Sequence, residues 1–157
     1  MDNDDIASAS FVHIVDVGWD DIDPLGHASN IAYVRWIQDA AVAHSEAMGL
    51  NLTAYQRIGA IFVIRRHEID YLRPVLRGDH LEVRTWISNV MAAKCERSSE
   101  LVRQDAGEAG ARVIVAKAVT TWGCIDVSTG RPTRIADQVR EAFGYQKRAR
   151  TPEPIQT

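Results

Sequence analysis

Apolar and polar positions change their spacing along the chain, and these changes predict its elements. Residues 10–19 are rich in β-branched side chains and partly alternate, which predicts a strand. A polar loop follows over 20–29, with Pro24 and Gly26 as turn residues. Residues 28–48 are apolar over most of a helical circumference, so we expect a long helix that the rest of the fold encloses.

Single residues mark the ends and the polar face of this helix. Ser29 or Asn30 suits the N-cap, and Gly49 stands where the helix should stop. The polar stripe is thin and Val42 interrupts it; its members are Arg35, Asp39 and Glu46.

Four further segments have the composition or the alternation of strands, and short turns separate them. They cover residues 60–71, 80–90, 94–104 and 112–126, after a connection over 51–57 and before a short helix over 135–143. The turns fall at 72–74, 77–79, 105–110 and 128–132. Sequential strands joined by short turns predict an antiparallel meander, and one long helix on one face of the sheet makes an α+β domain.

Size and composition fit one globular domain: the chain has 157 residues, of which 46% are hydrophobic and 25% are charged. We expect this domain to span residues 10–145, with a frayed N-terminus over 1–9 and a loose tail over 146–157. The net charge of −3 gives no general attraction to nucleic acid or to an anionic membrane. The acidic N-terminus is unlike a signal peptide, and no apolar run reaches the roughly 20 residues of a membrane span.

Cysteine and motif content narrow the chemistry further. Cys95 and Cys124 lack metal-ligand spacing and are too few for a disulfide framework, so we expect buried thiols and a cytoplasmic protein. The sequence has no Gly-rich phosphate loop and no His and Cys cluster at metal spacing. We therefore expect no metal and no cofactor.

The loop and the helix start together give the strongest chemical signal. Residues 20–33 gather three carboxylates, a proline, a glycine, a histidine and an asparagine. A polar loop that ends at a helix N-terminus places a carboxylate beside free backbone N–H groups. Such a pair can attack or hydrate a carbonyl and hold the resulting oxyanion, so this loop is the candidate active site.

The same residues carry a resemblance to a known family. The loop Asp21-Ile22-Asp23-Pro24-Leu25-Gly26-His27-Ala28-Ser29-Asn30, followed by Tyr33, resembles the hot-dog acyl-CoA thioesterases of the 4-hydroxybenzoyl-CoA thioesterase type. Residues 63–74, 78–83 and 126–132 are similar to later segments of that family, so the likeness covers about residues 10–140. It implies an antiparallel sheet wrapped around one long central helix, and a homodimer or homotetramer with active sites at the subunit interface. The chain departs from the family at Ala41, where many relatives carry a charged residue after a pair such as Asp39-Ala40.

The resemblance implies that Asp23 is the catalytic carboxylate and acts as nucleophile or general base on an acyl-CoA thioester. Asp23 also suits a plain Asx turn before Pro24. His27 is either an orienting group or a structural loop histidine. Asn30 lies where backbone donors for an oxyanion stand, or it serves as the N-cap. The two remaining loop carboxylates are expected to be solvated: Asp20 and Asp21.

Substrate-binding residues are expected on the helix and on the strands. Tyr33 either lines an acyl pocket or belongs to the core. Arg65, Arg66 and Lys94 either bind the phosphates of coenzyme A or are solvated on an outer strand face, and solvation is the favoured interpretation. The same two interpretations apply to their neighbours His67 and Arg97.

Three functions remain open at this point. The first is an acyl-CoA thioesterase that releases the free acid and coenzyme A. The second is a MaoC-type enoyl-CoA hydratase, which the Asp and His of residues 21–27 match only superficially because Gly26 and Asp23 disturb the pattern. The third is a non-catalytic acyl-CoA-binding protein, since fold alone does not settle function. We favour the thioesterase, with an acyl-CoA substrate and no nucleic acid or membrane as partner.

Overall fold

A computed structural model describes residues 10–104 and 110–145. The predicted frayed N-terminus (1–9), the predicted loose tail (146–157) and most of the predicted turn at 105–110 lie outside the described residues.

The elements follow the predicted order closely. The strands are β1 (Phe11–Asp16), β2 (Ala60–Tyr71), β3 (His80–Val90), β4 (Lys94–Gln104) and β5 (Arg112–Asp126). The helices are α1 (Asn30–Ala47), α2 (Leu52–Ile58) and α3 (Asp137–Ala142), and a 3-10 turn covers Trp19–Asp21. The four later strands keep their predicted bounds, and the long helix and the short last helix are confirmed within a few residues.

The connection predicted over 51–57 is wrong, because α2 occupies it. The Asn51 side chain accepts a hydrogen bond from the Ala54 N–H at 2.9 Å and so caps the helix. Gly59 ends it in the left-handed conformation, at φ 80°. This helix has only seven residues and no buried side chain, so it shows little hydrophobic periodicity.

The five strands form one antiparallel sheet in the order β1-β3-β4-β5-β2. The α+β class is confirmed, but the four-strand meander is wrong for β2, which pairs with β5 at the far edge. Its link to β3 is the eight-residue segment 72–79, which crosses the width of three strand spacings, about 15 Å. Eight extended residues reach roughly 26 Å, so the segment is long enough to pass two strands.

The long helix α1 lies across one face of this sheet. Ser29 is its N-cap, with Oγ accepting from the Ala32 N–H at 3.2 Å. The buried face is Ala32, Tyr33, Trp36, Ile37, Ala40, Ala41 and His44. The polar stripe is exposed as predicted, yet Ile31 is also 77% exposed. Within the described chain, the sheet therefore covers one side of the helix.

Buried apolar residues form two clusters. One lies under the first half of α1 and includes Tyr33, Trp36 and Leu101. The other gathers residues from β2, β4, β5, α2 and α3, including Cys95 and Cys124, and it confirms both cysteines as buried thiols.

Candidate functional site

The candidate loop folds back on itself as a tight hairpin before α1. Ile22 and Ala28 form an antiparallel bridge. Inside it, the Asp23 N–H donates to the His27 carbonyl at 2.9 Å, and the Gly26 N–H donates to the Asp23 carbonyl at 3.0 Å. Gly26 has a φ of 86°, a left-handed conformation that suits glycine. The hairpin therefore fixes the backbone of Asp23 a few residues before the helix.

The Asp23 carboxylate is half-buried and only partly engaged. Its Oδ1 accepts from the Leu25 N–H at 2.9 Å, which is the Asx turn expected for an aspartate before proline. Within the described chain, Oδ2 accepts no hydrogen bond. The turn fixes the carboxylate and leaves one oxygen available for chemistry.

Asp21 is not a solvated loop charge, and that prediction is wrong. The residue is 7% exposed, its Oδ2 accepts from the Gly18 N–H at 2.9 Å, and its Oδ1 forms an ion pair with Arg35 of α1. Its backbone carbonyl accepts from the Ser29 N–H at 2.8 Å. Asp21 therefore joins the loop to the helix, while Asp20 is exposed as expected.

The start of α1 presents backbone donors toward the loop side. Because Ser29 is the N-cap, Asn30 is the first helical residue rather than the cap. Among the described residues, the N–H groups of Asn30 and Ile31 donate to no backbone acceptor, as expected for the first turn of a helix. The Asn30 and His27 side chains are both exposed, and their predicted catalytic roles stay predictions.

Tyr33 is a core residue in the described chain. Its ring lies 5.2 Å from Trp36 and 4.9 Å edge-on from Tyr71, and the side chain is 3% exposed. Burial is the main reason why the pKa of its hydroxyl is raised. The packing role holds, and a contact with substrate stays a prediction.

Two of the predicted phosphate-binding cations lie together around Gly123. Lys94 is directly opposite Gly123 in the β4–β5 pair, so the Lys94 side chain lies on the sheet face where a side chain at Gly123 would lie. A Cβ at Gly123 would lie 2.9 Å from Nε of Arg65, which places the Arg65 side chain over that glycine. Arg66 instead forms an ion pair with Glu68. Within the described chain, neither Arg65 nor Lys94 makes an ion pair.

These cations are far from Asp23 within one chain. Tyr71, which contacts Tyr33 near the helix start, is opposite Ala116, and Gly123 lies seven residues further along β5. At the usual rise that is about 23 Å. A single chain therefore does not bring Asp23 and the cations into one compact site.

Arg97 and His67 do not lie on the outer face of the sheet, so the favoured interpretation of a solvated outer-face charge is wrong for both residues. His67 Nδ1 lies 2.9 Å from Thr120 Oγ1, and partial burial lowers its pKa. Arg97 is 4% exposed and points inward. Alternation along β4 carried that signal, because Arg97 shares its face with Cys95, Ser99 and the buried Leu101.

Arg97 belongs to a buried hydrogen-bond network that the sequence interpretation missed. Its Nη1 donates to Nδ1 of His44 at 2.9 Å and to Oγ1 of Thr85 at 3.1 Å. Thr85 Oγ1 also accepts from Ser99 and donates to the Ser98 carbonyl. Burial, then the nearby guanidinium, lower the pKa of His44 to about 4. Burial lowers the pKa of Arg97 to about 10, so it is charged at neutral pH.

Arg97 lines a cavity of about 320 Å³ at the second half of α1. The walls are mostly apolar, with Leu50, Phe62, Ile87, Val139 and Phe143 among them. Ala41 is part of the wall and 4% exposed, so a charged side chain at this position would be buried. Cys95 also lines the cavity, but burial raises the pKa of its thiol to about 11, which makes it a poor nucleophile.

The described residues contain no group of three or more His, Cys, Asp or Glu side chains placed to hold a metal ion. None of the described helices combines the length and the hydropathy that crossing a bilayer requires.

Comparison with known proteins identifies the superfamily of this chain. The Thioesterase-like superfamily matches residues 17–143, and the chain belongs to that superfamily. The acyl-acyl carrier protein thioesterase ATL2 of Arabidopsis thaliana, a chloroplastic protein, is 25% identical over 125 residues. That match covers 80% of this chain and 63% of the relative, so the chain spans less than two thirds of that protein's length.

Solved structures show the same fold. A 4-hydroxybenzoyl-CoA thioesterase, crystallised as an Asp-to-Asn mutant with 4-hydroxybenzoyl-CoA, has a TM-score of 0.79 at 16% identity, covering 86% of this chain and 99% of its own. The 1,4-dihydroxy-2-naphthoyl-CoA thioesterase Slr0204 from Synechocystis has a TM-score of 0.75 at 18% identity, covering 86% and 96%. At these identities the likeness establishes the hot-dog fold alone.

Proposed function

We propose that the protein hydrolyses an acyl thioester of coenzyme A to the free acid and coenzyme A, with Asp23 as the reacting carboxylate. Membership in the Thioesterase-like superfamily supports the reaction class. The observation that carries the assignment of Asp23 is its half-engaged carboxylate, fixed through Oδ1 and open at Oδ2.

Two routes are available to this carboxylate. As a nucleophile, Oδ2 attacks the thioester carbon, the C–S bond breaks, the thiolate leaves, and water then hydrolyses the mixed anhydride. As a general base, Asp23 takes a proton from water while the water oxygen attacks the carbon, and the proton passes to the leaving thiolate. Both routes need Asp23 ionised at the start and give the same products.

Each route develops negative charge on the carbonyl oxygen. The N–H groups of Asn30 and Ile31, at the positive end of the α1 dipole, are the donors we assign to that oxygen. His27 is hydrogen-bonded to Asp23 through its backbone, and we assign its exposed imidazole to orienting the acyl group.

We assign Arg65 and Lys94 to the phosphates of coenzyme A, and a homodimer to the complete site. About 23 Å along β5 separates these cations from the loop of the same chain. A partner protomer that brings its cations to this loop would complete the site. The exposed Leu25 and Ile31 beside the loop are apolar surface that a partner would cover. Light scattering should then give at least twice the mass of one chain, and a monomer with full activity would contradict the shared site.

Thiol release from short, long and aromatic acyl-CoA esters tests the reaction. We expect release from one class, and a loss of kcat of at least about a hundredfold in Asp23→Asn. Asparagine keeps an acceptor for the Leu25 N–H, so the turn should survive. Asp20→Asn is the matched control, since Asp20 is an exposed carboxylate of the same loop, and it should keep full activity.

Three results would count against the proposal. Full activity in Asp23→Asn would remove Asp23 from the reaction. Hydration of an enoyl-CoA without thiol release would indicate the hydratase. Tight acyl-CoA binding without release from any ester would indicate a binding protein.

The likeness to ATL2 supports a second candidate substrate, in which acyl carrier protein rather than coenzyme A carries the acyl group, because that relative is named for acyl-acyl carrier protein. Acyl-CoA and acyl-acyl carrier protein share the thioester but not the bulk of the carrier. The test is to compare the kcat/KM values for the same acyl group carried by coenzyme A and by acyl carrier protein. A preference for the protein carrier would keep the role of Asp23 and replace the proposed substrate.

A further inference from the structure

We propose that the cavity at the second half of α1 is a binding site for the carboxylate end of a small apolar acid, with Arg97 as its counter-ion. The site is separate from the proposed catalytic loop and does not depend on the proposed reaction.

The first argument is the burial of a charge without an opposite charge. Arg97 is 4% exposed, and within the described chain it makes no ion pair. Glu46 is the acidic side chain that lines this cavity, but it is exposed and does not pair with Arg97. A buried guanidinium that lacks a carboxylate partner is costly, and a bound anion would remove that cost.

The second argument concerns the N–H donors of Arg97 and Trp122 that have no acceptor in the described chain. Among the described residues, only Nη1 of Arg97 has hydrogen-bond partners, namely His44 and Thr85, while the guanidinium also lies 5.8 Å from the centre of the Phe143 ring. The Nε and Nη2 groups remain for a ligand, and guanidinium donors suit a bidentate carboxylate. Trp122 also lines the cavity, and its buried Nε1 has no hydrogen-bond partner in the described chain. Buried N–H groups without a partner are rare in folded proteins, and an acceptor on a bound ligand would satisfy this one.

The third argument is the shape and polarity of the space. The cavity holds about 320 Å³, at the low end for small-molecule sites. At roughly 30 Å³ for each water-sized atom, it accepts on the order of ten non-hydrogen atoms. Its wall is apolar apart from a few groups, so the ligand should have an apolar body and one anionic end. Octanoate has this size and this chemistry.

The cavity is distant from Asp23 in the same chain. Ala41, at its near wall, lies eleven residues along α1 from Asn30, which is about 16 Å. Two sources could supply the carboxylate: a free acid, or the far end of an acyl group that already carries a second carboxyl. The chemistry at Arg97 is the same for both.

Binding of octanoate and of 1-octanol, measured by calorimetry with the full chain, is the primary test. We expect octanoate to bind at least about tenfold more tightly than the alcohol, and Arg97→Met to remove that preference. Methionine fills a similar volume, and replacing a buried ion by an apolar side chain is often tolerated. Arg57→Met is the matched control, because Arg57 is exposed on the neighbouring helix α2.

A spectroscopic readout identifies the donor. The chain has four tryptophans, so its proton NMR spectrum should contain four indole N–H resonances. The resonance that is missing in Trp122→Phe belongs to Trp122. Octanoate should move that resonance downfield, and octanol should not. This readout reports a hydrogen bond at Trp122, which general destabilisation of the fold would not produce.

Octanedioyl-CoA distinguishes the sources. If Arg97→Met raises the KM for octanedioyl-CoA and leaves octanoate binding unchanged, the cavity takes the far end of an acyl substrate. If Arg97→Met abolishes octanoate binding, the cavity takes a free acid. Equal binding of octanoate to Arg97→Met and the unchanged protein, with no effect on octanedioyl-CoA, would overturn the proposal. Asp23→Asn should still bind octanoate, so failure of the proposed hydrolysis would leave this result intact.

Discussion

Nη1 of Arg97 donates a hydrogen bond to Nδ1 of His44 across 2.9 Å. That nitrogen must be unprotonated to accept, so the imidazole is neutral and carries its proton on Nε2. The ring is stacked on Phe11, with centroids 5.2 Å apart, and lies edge-on to Phe143 at 4.9 Å. A neutral histidine between two aromatic rings and a guanidinium has consequences for stability.

Acid should weaken the fold through His44. Its pKa is about 4 in the native state and 6.5 in an unfolded chain. Between these pH values the unfolded state binds more protons, so the free energy of unfolding falls as the pH drops from 6.5 toward 4. Urea unfolding across that range measures the slope. His44→Gln keeps an acceptor for Arg97 but does not titrate, and it should flatten the slope; an identical slope in both proteins would refute the assignment.

Loss of the Asp21 carboxylate should destabilise the protein. Asp21→Ala leaves the Gly18 N–H without its acceptor and Arg35 without its ion pair, so we expect a loss of about 1–3 kcal/mol in the free energy of unfolding. Asp20→Ala, at the exposed neighbour, should change it by less than about 0.5 kcal/mol. Urea midpoints of the two variants give the comparison, and equal midpoints would show that Asp21 does not hold the loop.

The N-cap of α1 should respond to the chemistry of its side chain. Ser29→Ala removes the acceptor of the Ala32 N–H and should cost about 1 kcal/mol. Ser29→Asp retains an acceptor and adds a charge that the helix dipole favours, so its stability should stay near that of the unchanged protein. Thermal unfolding of both variants is the measurement. A larger loss for Asp than for Ala would contradict this view of the helix start.

Gly123 should affect coenzyme A binding through Arg65. Gly123→Ala places a methyl group 2.9 Å from Nε of Arg65, which is closer than two such atoms normally approach, so the Arg65 side chain must move away. If Arg65 binds a phosphate, both Gly123→Ala and Arg65→Met should raise KM for an acyl-CoA about tenfold, equivalent to 1.4 kcal/mol. The value of kcat should change little. Arg66→Met is the control, since Arg66 already pairs with Glu68, and an equal rise in its KM would remove the special role of Arg65.

Alternation and turn residues were enough to predict the strands and the α+β class. The bounds of β2 to β5 follow from side-chain periodicity between Gly and Pro turns, which is a local property. The order of strands is not local: β2 pairs with β5 because the 72–79 segment crosses the sheet, and nothing in that segment's composition shows where it leads.

The candidate loop was predicted from its motif, but the roles of its acids were not all clear. Asp20, Asp21 and Asp23 have the same chemistry, and only tertiary contacts separate them: Asp21 is buried against Arg35, whereas Asp23 keeps a free oxygen. Arg97 was misjudged in the same direction, because it was expected to be solvated and is buried. The period-2 pattern placed it inside, yet its charge favoured the surface interpretation, and a buried hydrogen-bond network outweighed that preference.

The position of β2 at the sheet edge has a consequence for how the chain is made. The strands β3, β4 and β5 are joined in sequence and pair as neighbouring hairpins, so their contacts are short in sequence. In contrast, Phe11 is opposite Thr85 and Ala60 is opposite Asp126, and closing such long loops costs more entropy. Synthesis delivers the N-terminal residues first, yet β1 and β2 find their partners only after β3 and β5 have been made. On the ribosome, β1, which leads into the loop that carries Asp23, must therefore wait for β3 to be made before it takes its place in the sheet.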